Sequence, residues 1–364
     1  MKIALFHTTL PEAGRKPGGV EVAVHRLANE LAKNQADEVT VLSLTDPPED
    51  ARYKHQLLFE DKEALRDNQI MRLFYLPFLL NFVDLKQFDV VHFHGDDWFL
   101  FSRGTASVRT LHGSALFEAR SATSIKRKIS QYLVYPLEHL ATKLATRPLA
   151  VGPETAKVYG INELANNGVN LDLFSVGDKT DHPQILYIGT WEGRKRGGFM
   201  FEQFTKHVLP AVPDAELIMV CDHEPQHPNV TCYRFPDDET LAGLYSRAWV
   251  FAYPSVYEGF GIPYIEAMAS GAAVICSPND GANYVLDKGE FGMIVEDDDF
   301  ASQLIALLND EQLRQRYVDK GIGRANTFSW AAVANQHRQV YQDAIRKHNN
   351  GHADQVKAEE IYEH

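Results

Sequence analysis

The sequence predicts an α/β protein with two doubly wound, mostly parallel sheets, one in each half of the chain. Three observations lead there. Short apolar segments alternate with amphipathic helical segments, the alternation restarts near Gln184, and 364 residues with 45% apolar and 23% charged content suffice for two ordinary cores. Residues 2–7 form a buried first strand. The loop 8–19 leads to a helix over 20–33, where Val20, Ala23, Val24, Leu27, Ala28 and Leu31 keep the helical period. Strands follow at 39–44 and 89–94, with a short one at 109–112. A long helical region over 124–145 precedes a strand at 149–151.

The second series places strands at 184–188, 216–221, 249–253 and 273–276. Helices lie between them at 198–208 and 238–247, and a further one covers 300–308. The polar interval 176–183 is the candidate linker, 330–347 a terminal helix, and the charged residues after His348 a frayed tail. The domains are therefore 1–175, completed by a returning helix at about 341–364, and 176–340.

Charge excludes some classes of function. The chain carries −13, so a phosphate backbone is repelled and general nucleic-acid binding is not expected. The residues up to 174 carry a net −1 and the remainder −12. Cys221, Cys232 and Cys276 show no metal-ligand or C-x-x-C spacing and read as reduced, buried thiols. The N-terminus is too short an apolar run for a signal peptide and no segment is long enough to span a bilayer, which points to the cytoplasm.

The most informative stretch is Glu258-Gly259-Phe260-Gly261-Ile262-Pro263-Tyr264-Ile265-Glu266. It follows the apolar segment 248–255 and continues Ala267-Met268-Ala269-Ser270-Gly271. This is a strand, a glycine-bearing loop and a helix with Pro in its first turn and Gly beyond its end. Two carboxylates then lie beside a helix N-terminus, with Glu266 in the first helical turn, where backbone N–H groups can hold phosphate. The pattern suits a nucleotide-sugar.

The same residues resemble the E-x7-E signature of the retaining glycosyltransferases of family 4, embedded in that family's Gly-Phe-Gly loop and E-A-M-A-x-G helix. The resemblance extends to 167–174 and to Phe328-Ser329-Trp330. It implies a GT-B fold: two Rossmann-like domains facing each other across a cleft that holds the site, with the last helix crossing back to the first domain. It implies a sugar transferred from a UDP- or GDP-sugar to a glycan or lipid-linked acceptor, in bacterial polysaccharide or glycolipid synthesis. The N-terminal domain would bind the acceptor and the C-terminal domain the nucleotide-sugar.

The resemblance also assigns residues. Glu258 contacts the transferred sugar and Glu266 the ribose hydroxyls, with Gly259, Phe260, Gly261 and Ile262 along the donor. Gly18-Gly19, after the first strand, closes over the donor phosphates; by its residues alone it is equally a turn that needs glycine. In Arg194-Lys195-Arg196-Gly197, Arg196 stands at the family's diphosphate-binding Lys. Thr190 stands where the family has Arg, and Arg194 or Lys195 replaces that cation. His112 resembles the family's His near the sugar and acceptor. His92 and His94 share one strand face and belong to the core or line the cleft. No metal site and no cofactor are expected, and front-face transfer with retention needs no enzymatic nucleophile.

Two segments remain open. Arg120, Lys126, Arg127 and Lys128 open a helical region with Ile129, Tyr132 and Leu133, either a peripheral membrane contact or, the preferred reading, a core-packed helix with a charged outer face. Residues 74–82 are core or an acceptor groove. The competing functions are a GT-B nucleotide-sugar epimerase, which needs no acceptor, and a non-catalytic sugar-binding protein.

Overall fold

The computed structural model describes residues 1–12, 15, 18–59, 62–68, 70–101, 104–121 and 124–362. It divides into two compact units, Met1–Asn166 with the chain from Val333 onward, and Asn167–Ala332.

The first unit is a parallel six-stranded sheet of β1 (Lys2–Phe6), β2 (Glu38–Ser43), β3 (Lys54–Leu57), β4 (Val90–Phe93), β5 (Ala106–Leu111) and β6 (Arg147–Ala150). Its order is β3-β2-β1-β4-β5-β6. Ile3 to Phe6 are fully buried because both sheet faces are covered, and this is why β1 reads as an unbroken apolar run. One face packs Ala4, Phe6, Leu42, Val91 and Phe93 against Leu76, Leu80 and Leu85. The helix Gly19–Ala32 buries Val24, Leu27, Ala28 and Leu31.

The second unit repeats the winding with β7 (Gln184–Ile188), β8 (Glu216–Val220), β9 (Val230–Tyr233), β10 (Val250–Tyr253), β11 (Ala273–Cys276) and β12 (Met293–Ile294), ordered β12-β11-β10-β7-β8-β9. Ile185, Tyr187, Leu217, Met219, Val250 and Ala252 alternate onto one face, against Met200, Phe204, Phe300 and Leu304. In each sheet the strand order reverses beside the unit's first strand, between β1 and β4 and between β7 and β10. Open α/β sheets bind ligands outside the carboxyl ends of strands at such a point. The topology thus selects the loops after β1 and β4, and those after β7 and β10.

Several expectations change. The interval 176–183 is no linker. Lys179 Nζ donates to the carbonyls of Ala248 and Ser270, at 2.9 and 3.0 Å, and Trp249 Nε1 donates to Thr180 O at 2.9 Å, fastening the segment to the second unit. That unit begins earlier, at Asn167, because Val169 N bonds Phe328 O at 2.8 Å and Gly168 lies so close to Trp330 that a Cβ would sit 2.3 Å from its ring. The final helix, Trp330–Tyr362, joins the first unit from Val333 and continues past the expected frayed tail. The strands β3, β9 and β12 were not anticipated; they are two to four residues long and lie at the sheet edges. The β5 strand is six residues long and fully buried.

The two open segments are not simply core. In the helix Ile125–Leu144, Val134, Ala141 and Thr142 are buried, whereas Ile125, Ile129, Tyr132 and Leu133 face outward. Over 74–82, Leu76, Pro77 and Leu80 are buried but Phe74, Phe78 and Phe82 are exposed.

The C-terminal helix is tied to the first sheet by a buried contact, Tyr341 OH to His92 Nδ1 at 2.9 Å, while His92 Nε2 meets Thr110 Oγ1 at 2.8 Å. Removing the hydroxyl leaves a buried imidazole nitrogen without its partner, which costs about 1–3 kcal/mol. Tyr341→Phe is therefore expected to lower the urea-unfolding midpoint at unchanged slope.

Candidate active site

The second unit's site starts from Glu258, a carboxylate only 6% exposed. An ion so placed needs partners to offset its lost hydration. Arg194 Nη1 donates to Oε1 at 2.6 Å, Lys195 Nζ at 2.8 Å and Ser255 Oγ at 2.8 Å. All three meet the same oxygen, so Oε2 has no donor among the described residues. Lys195 also lies over the Tyr253 ring, 4.4 Å from its centroid. Burial pushes the Lys195 ammonium below its ordinary pKa, with Glu258 opposing that shift.

The loop carrying Glu258 is locked from two sides. Val256 N donates to Arg194 O at 3.0 Å, joining the loops after β7 and β10. Gly281 N donates to Glu258 O at 3.1 Å, and a Cβ at Gly281 would sit 2.6 Å from that carbonyl, so only glycine permits the approach. Asn279 Nδ2 donates to Ser255 O at 2.9 Å and to Tyr264 OH at 3.0 Å. Gly261, at φ 97°, then opens the helix Ile262–Ala269, and a Cβ there would lie 2.4 Å from the Tyr264 ring. Among the described residues, the backbone N–H groups of 259–262 meet no acceptor. Unpaired N–H groups at a helix start, beside two cations, are a receptor for an anion.

Glu266 sits one turn deeper than expected, because the helix starts at Ile262. Its carboxyl is pushed up to about 7, chiefly by burial, against the hydrogen bond from Tyr245 OH at 2.9 Å to Oε2. Nearby Asp238 adds to the rise and Lys195 opposes it.

Arg196 is placed differently from its neighbours. Its guanidinium forms a two-pronged pair with Asp297, at 2.9 and 2.6 Å, and stacks on Phe199 with 4.0 Å to the ring centroid. Arg194 and Lys195 both reach Glu258. Thr190 uses its hydroxyl on Glu192 O at 2.8 Å.

In the first unit, two adjoining cavities of about 290 and 360 Å³ lie at the carboxyl ends of β1, β4 and β5. Gly18 and Gly19 border the smaller one. Glu21 anchors that loop, accepting from Gly18 N at 2.9 Å and Thr9 Oγ1 at 2.7 Å. His112, with His94 and Glu138, borders the larger. His112 Nε2 and His94 Nδ1 are 2.8 Å apart. Burial pushes His112 down to about 3 and His94 well below its ordinary value, so both rings are neutral at pH 7 and one nitrogen donates to the other. His92 is core and His94 lines the cavity.

Sequence reasoning did not single out Ser255, Tyr245, Asn279 or Gly281. Ser255 was legible as a small polar residue three before Glu258 in an otherwise apolar run. The others come from elements whose distance from Glu258 or Glu266 closes only on folding. Among the described residues, no group of three or more His, Cys, Asp or Glu is arranged to hold a metal ion, and no helix is long and apolar enough to cross a membrane.

Two units of 3-2-1-4-5-6 winding, with an anion receptor at the switch point of the second, define a nucleotide-binding α/β enzyme of GT-B type. The family models for "Glycosyltransferase Family 4" and "Glycosyl transferases group 1" match residues 17–173 and 182–310. The chain belongs to the group 1, family 4 glycosyltransferases. It is 27% identical over 352 residues to a phosphatidyl-myo-inositol mannosyltransferase of Mycobacterium leprae, covering 90% of this chain and 93% of the relative. Among solved structures it is similar to sucrose-phosphate synthase from Thermosynechococcus elongatus, with TM-score 0.70, 22% identity and coverage of 94% and 98%. It is also similar to Anabaena Alr3699/HepE in complex with UDP-glucose, with TM-score 0.69, 14% identity and coverage of 94% and 100%. The last two likenesses concern the fold.

The raised Glu266 carboxyl fixes the sign of a pH effect. The folded protein holds this proton up to about pH 7, whereas the unfolded chain releases it near the ordinary glutamate value of 4.5. The folded state is thus progressively disfavoured as pH rises between those values, by at most roughly 3 kcal/mol. Glu266→Gln is expected to lack this decline, so wild-type stability relative to the variant falls from pH 4.5 to 7 and then levels off in urea titrations.

Proposed function

We propose that the protein transfers a sugar, with retention of anomeric configuration, from a UDP- or GDP-sugar to a glycan or lipid-linked acceptor. The observation that carries this reading is the convergence on Glu258 of Arg194 and Lys195, beside the open N–H groups of 259–262. Glu258 Oε2, turned to no protein donor among the described residues, accepts from a hydroxyl of the transferred sugar. The diphosphate lies against Arg194, Lys195 and the N–H groups of Gly259, Phe260, Gly261 and Ile262. Glu266 accepts from the ribose hydroxyls, and Gly18-Gly19 approaches the donor phosphates.

In the step itself the bond from the anomeric carbon to the phosphate oxygen breaks, and a bond to the acceptor oxygen forms on the same face. The acceptor's proton passes to the departing phosphate, so no side chain need act as nucleophile or base. The charge developing on that phosphate is what the fixed cations and amides are arranged to meet. Because those cations are part of the chain, transfer does not depend on a divalent metal or another cofactor. His112, kept neutral and oriented by His94, hydrogen-bonds a sugar oxygen. Arg196 serves the diphosphate less directly than Arg194 and Lys195, since Asp297 holds it.

The relatives' names favour a lipid-borne or polysaccharide acceptor, as in phosphatidyl-myo-inositol mannosyltransferase and the O-antigen chain mannosyltransferase B of Escherichia coli. The N-terminal unit would receive it, with Arg120, Lys126, Arg127 and Lys128 meeting lipid phosphate at the inner face of a membrane.

Thermal-shift screening with UDP- and GDP-sugars tests donor class: a ligand at about 100 times its Kd adds roughly 2.7 kcal/mol. Glu258→Gln is expected to keep that stabilisation in large part while turnover falls about 100-fold or more. Full turnover by the variant would remove Glu258 from the mechanism. Product NMR reports the anomeric outcome, and unchanged activity in EDTA is expected.

A further inference from the structure

Phe235 combines two features that a folded chain ordinarily avoids. Its ring is 77% exposed, and its backbone stands at φ 52°, in the left-handed region. A residue with a Cβ is disfavoured there, and the proline that follows, Pro236, drives the residue before it toward extended backbone. Among the described residues no other exposed large apolar side chain sits at a positive φ. Glycine would adopt this backbone without strain, and a polar side chain would suit the exposure. Neither demand of folding accounts for phenylalanine. Strain that persists in this way gathers at ligand-binding positions.

The place of Phe235 in the second unit identifies the ligand group it serves. All six strands of that sheet run parallel, so the loops after β7, β8, β9 and β10 share one edge. The order β10-β7-β8-β9 carries this edge outward from Glu258 to the loop after β9. Hydrogen bonds join the loops in the same order. Val256 N donates to Arg194 O at 3.0 Å, between the loops after β10 and β7. Trp191 N donates to Asp222 Oδ1 at 2.7 Å, between those after β7 and β8. Cys221 N then donates to Tyr233 O at 3.1 Å, at the ends of β8 and β9.

Phe235 follows two residues later, on the connection to the helix Asp238–Arg247. Asp237 caps that helix, accepting from Thr240 N at 2.8 Å. The same helix flanks Glu266. Tyr245 OH donates to the Glu266 carboxyl at 2.9 Å, and Asp238 in the first turn adds to the rise that burial imposes on its pKa. One helix thus has Glu266 along its side and the exposed ring just before its start.

We propose that Phe235 is the stacking face for the nucleobase of the donor. This rests on the donor being a nucleotide-sugar, and it adds the residue that meets the base. With the diphosphate on the N–H groups of 259–262 and the ribose on Glu266, the base is the part that extends toward the β9 edge. A heterocycle is flat and stacks on an aromatic face, whereas phosphate gains nothing from one. The left-handed backbone is what holds the ring out of the fold and available to the base.

The test is calorimetry with UDP, GDP and inorganic pyrophosphate on wild type, Phe235→Gly and Phe235→Trp. Wild type is expected to bind at least one of the two nucleotides. Phe235→Gly should bind that nucleotide about fivefold more weakly, or worse, and bind pyrophosphate as wild type does. Its urea midpoint should be no lower than that of wild type, because glycine relieves the strain. Phe235→Trp should keep the nucleotide affinity. The fluorescence it adds over wild type should be quenched by the nucleotide and not by pyrophosphate. Unchanged nucleotide affinity in Phe235→Gly overturns the proposal and leaves the nucleotide-sugar reading intact. An equal loss for nucleotide and pyrophosphate, or a lowered urea midpoint, also overturns it, because Phe235 would then serve the loop and not the base. Wild type that binds neither nucleotide overturns both readings.

Discussion

The second unit's candidate site is built around a single buried carboxylate that must be balanced. Glu258 sits at the end of β10, where the sheet's order reverses, and is buried before any ligand arrives. Two cations from the loop after β7 and a serine from its own loop hold one of its oxygens. The balance leaves one unit of positive charge in excess, within a half of the chain that is otherwise acidic. A local cation surplus with low-dielectric walls attracts and orients an anion more strongly than the same residues could in water. Removing the carboxylate would leave both cations without their partner, so charge balance and loop geometry are coupled.

The backbone around Glu258 follows from the same requirement. Gly281 and Gly261 are glycines because a Cβ would strike the Glu258 carbonyl in one case and the Tyr264 ring in the other. Asn279 then ties the serine loop to the helix that presents the open N–H groups. The first unit repeats the principle with other chemistry. Its switch-point loops carry neutral imidazoles and a Gly-Gly turn held by Glu21, which suits hydroxyl-rich ligands better than charge neutralisation.

Much of this was legible in the chain. The strands β1, β4, β7, β8, β10 and β11 are buried on both faces and announce themselves as apolar runs, and Asp238–Arg247 has its stop and start where periodicity puts them. The edge strands were silent: Lys54-His55-Gln56-Leu57 has nothing to bury on its outer side. The Glu258 loop was readable because glycine, proline and acid occur there in an order that few other structures need. Which of three consecutive cations turns inward was not, since Arg196 adopts a left-handed backbone conformation, φ 62°, that sends its side chain to Asp297. The apolar stripe at 125–133 was visible as a pattern, but only the fold shows which side of an amphipathic helix is covered.

The most direct test of this electrostatic centre is a double-mutant cycle on donor affinity. Calorimetry with one nucleotide-sugar would compare wild type, Lys195→Met, Glu258→Gln and the double variant. If the carboxylate and the ammonium act as one unit, the double variant departs from the sum of the single effects by about 1 kcal/mol or more. Additivity within about 0.5 kcal/mol would mean that the two side chains bind independently, contrary to the account given for Glu258.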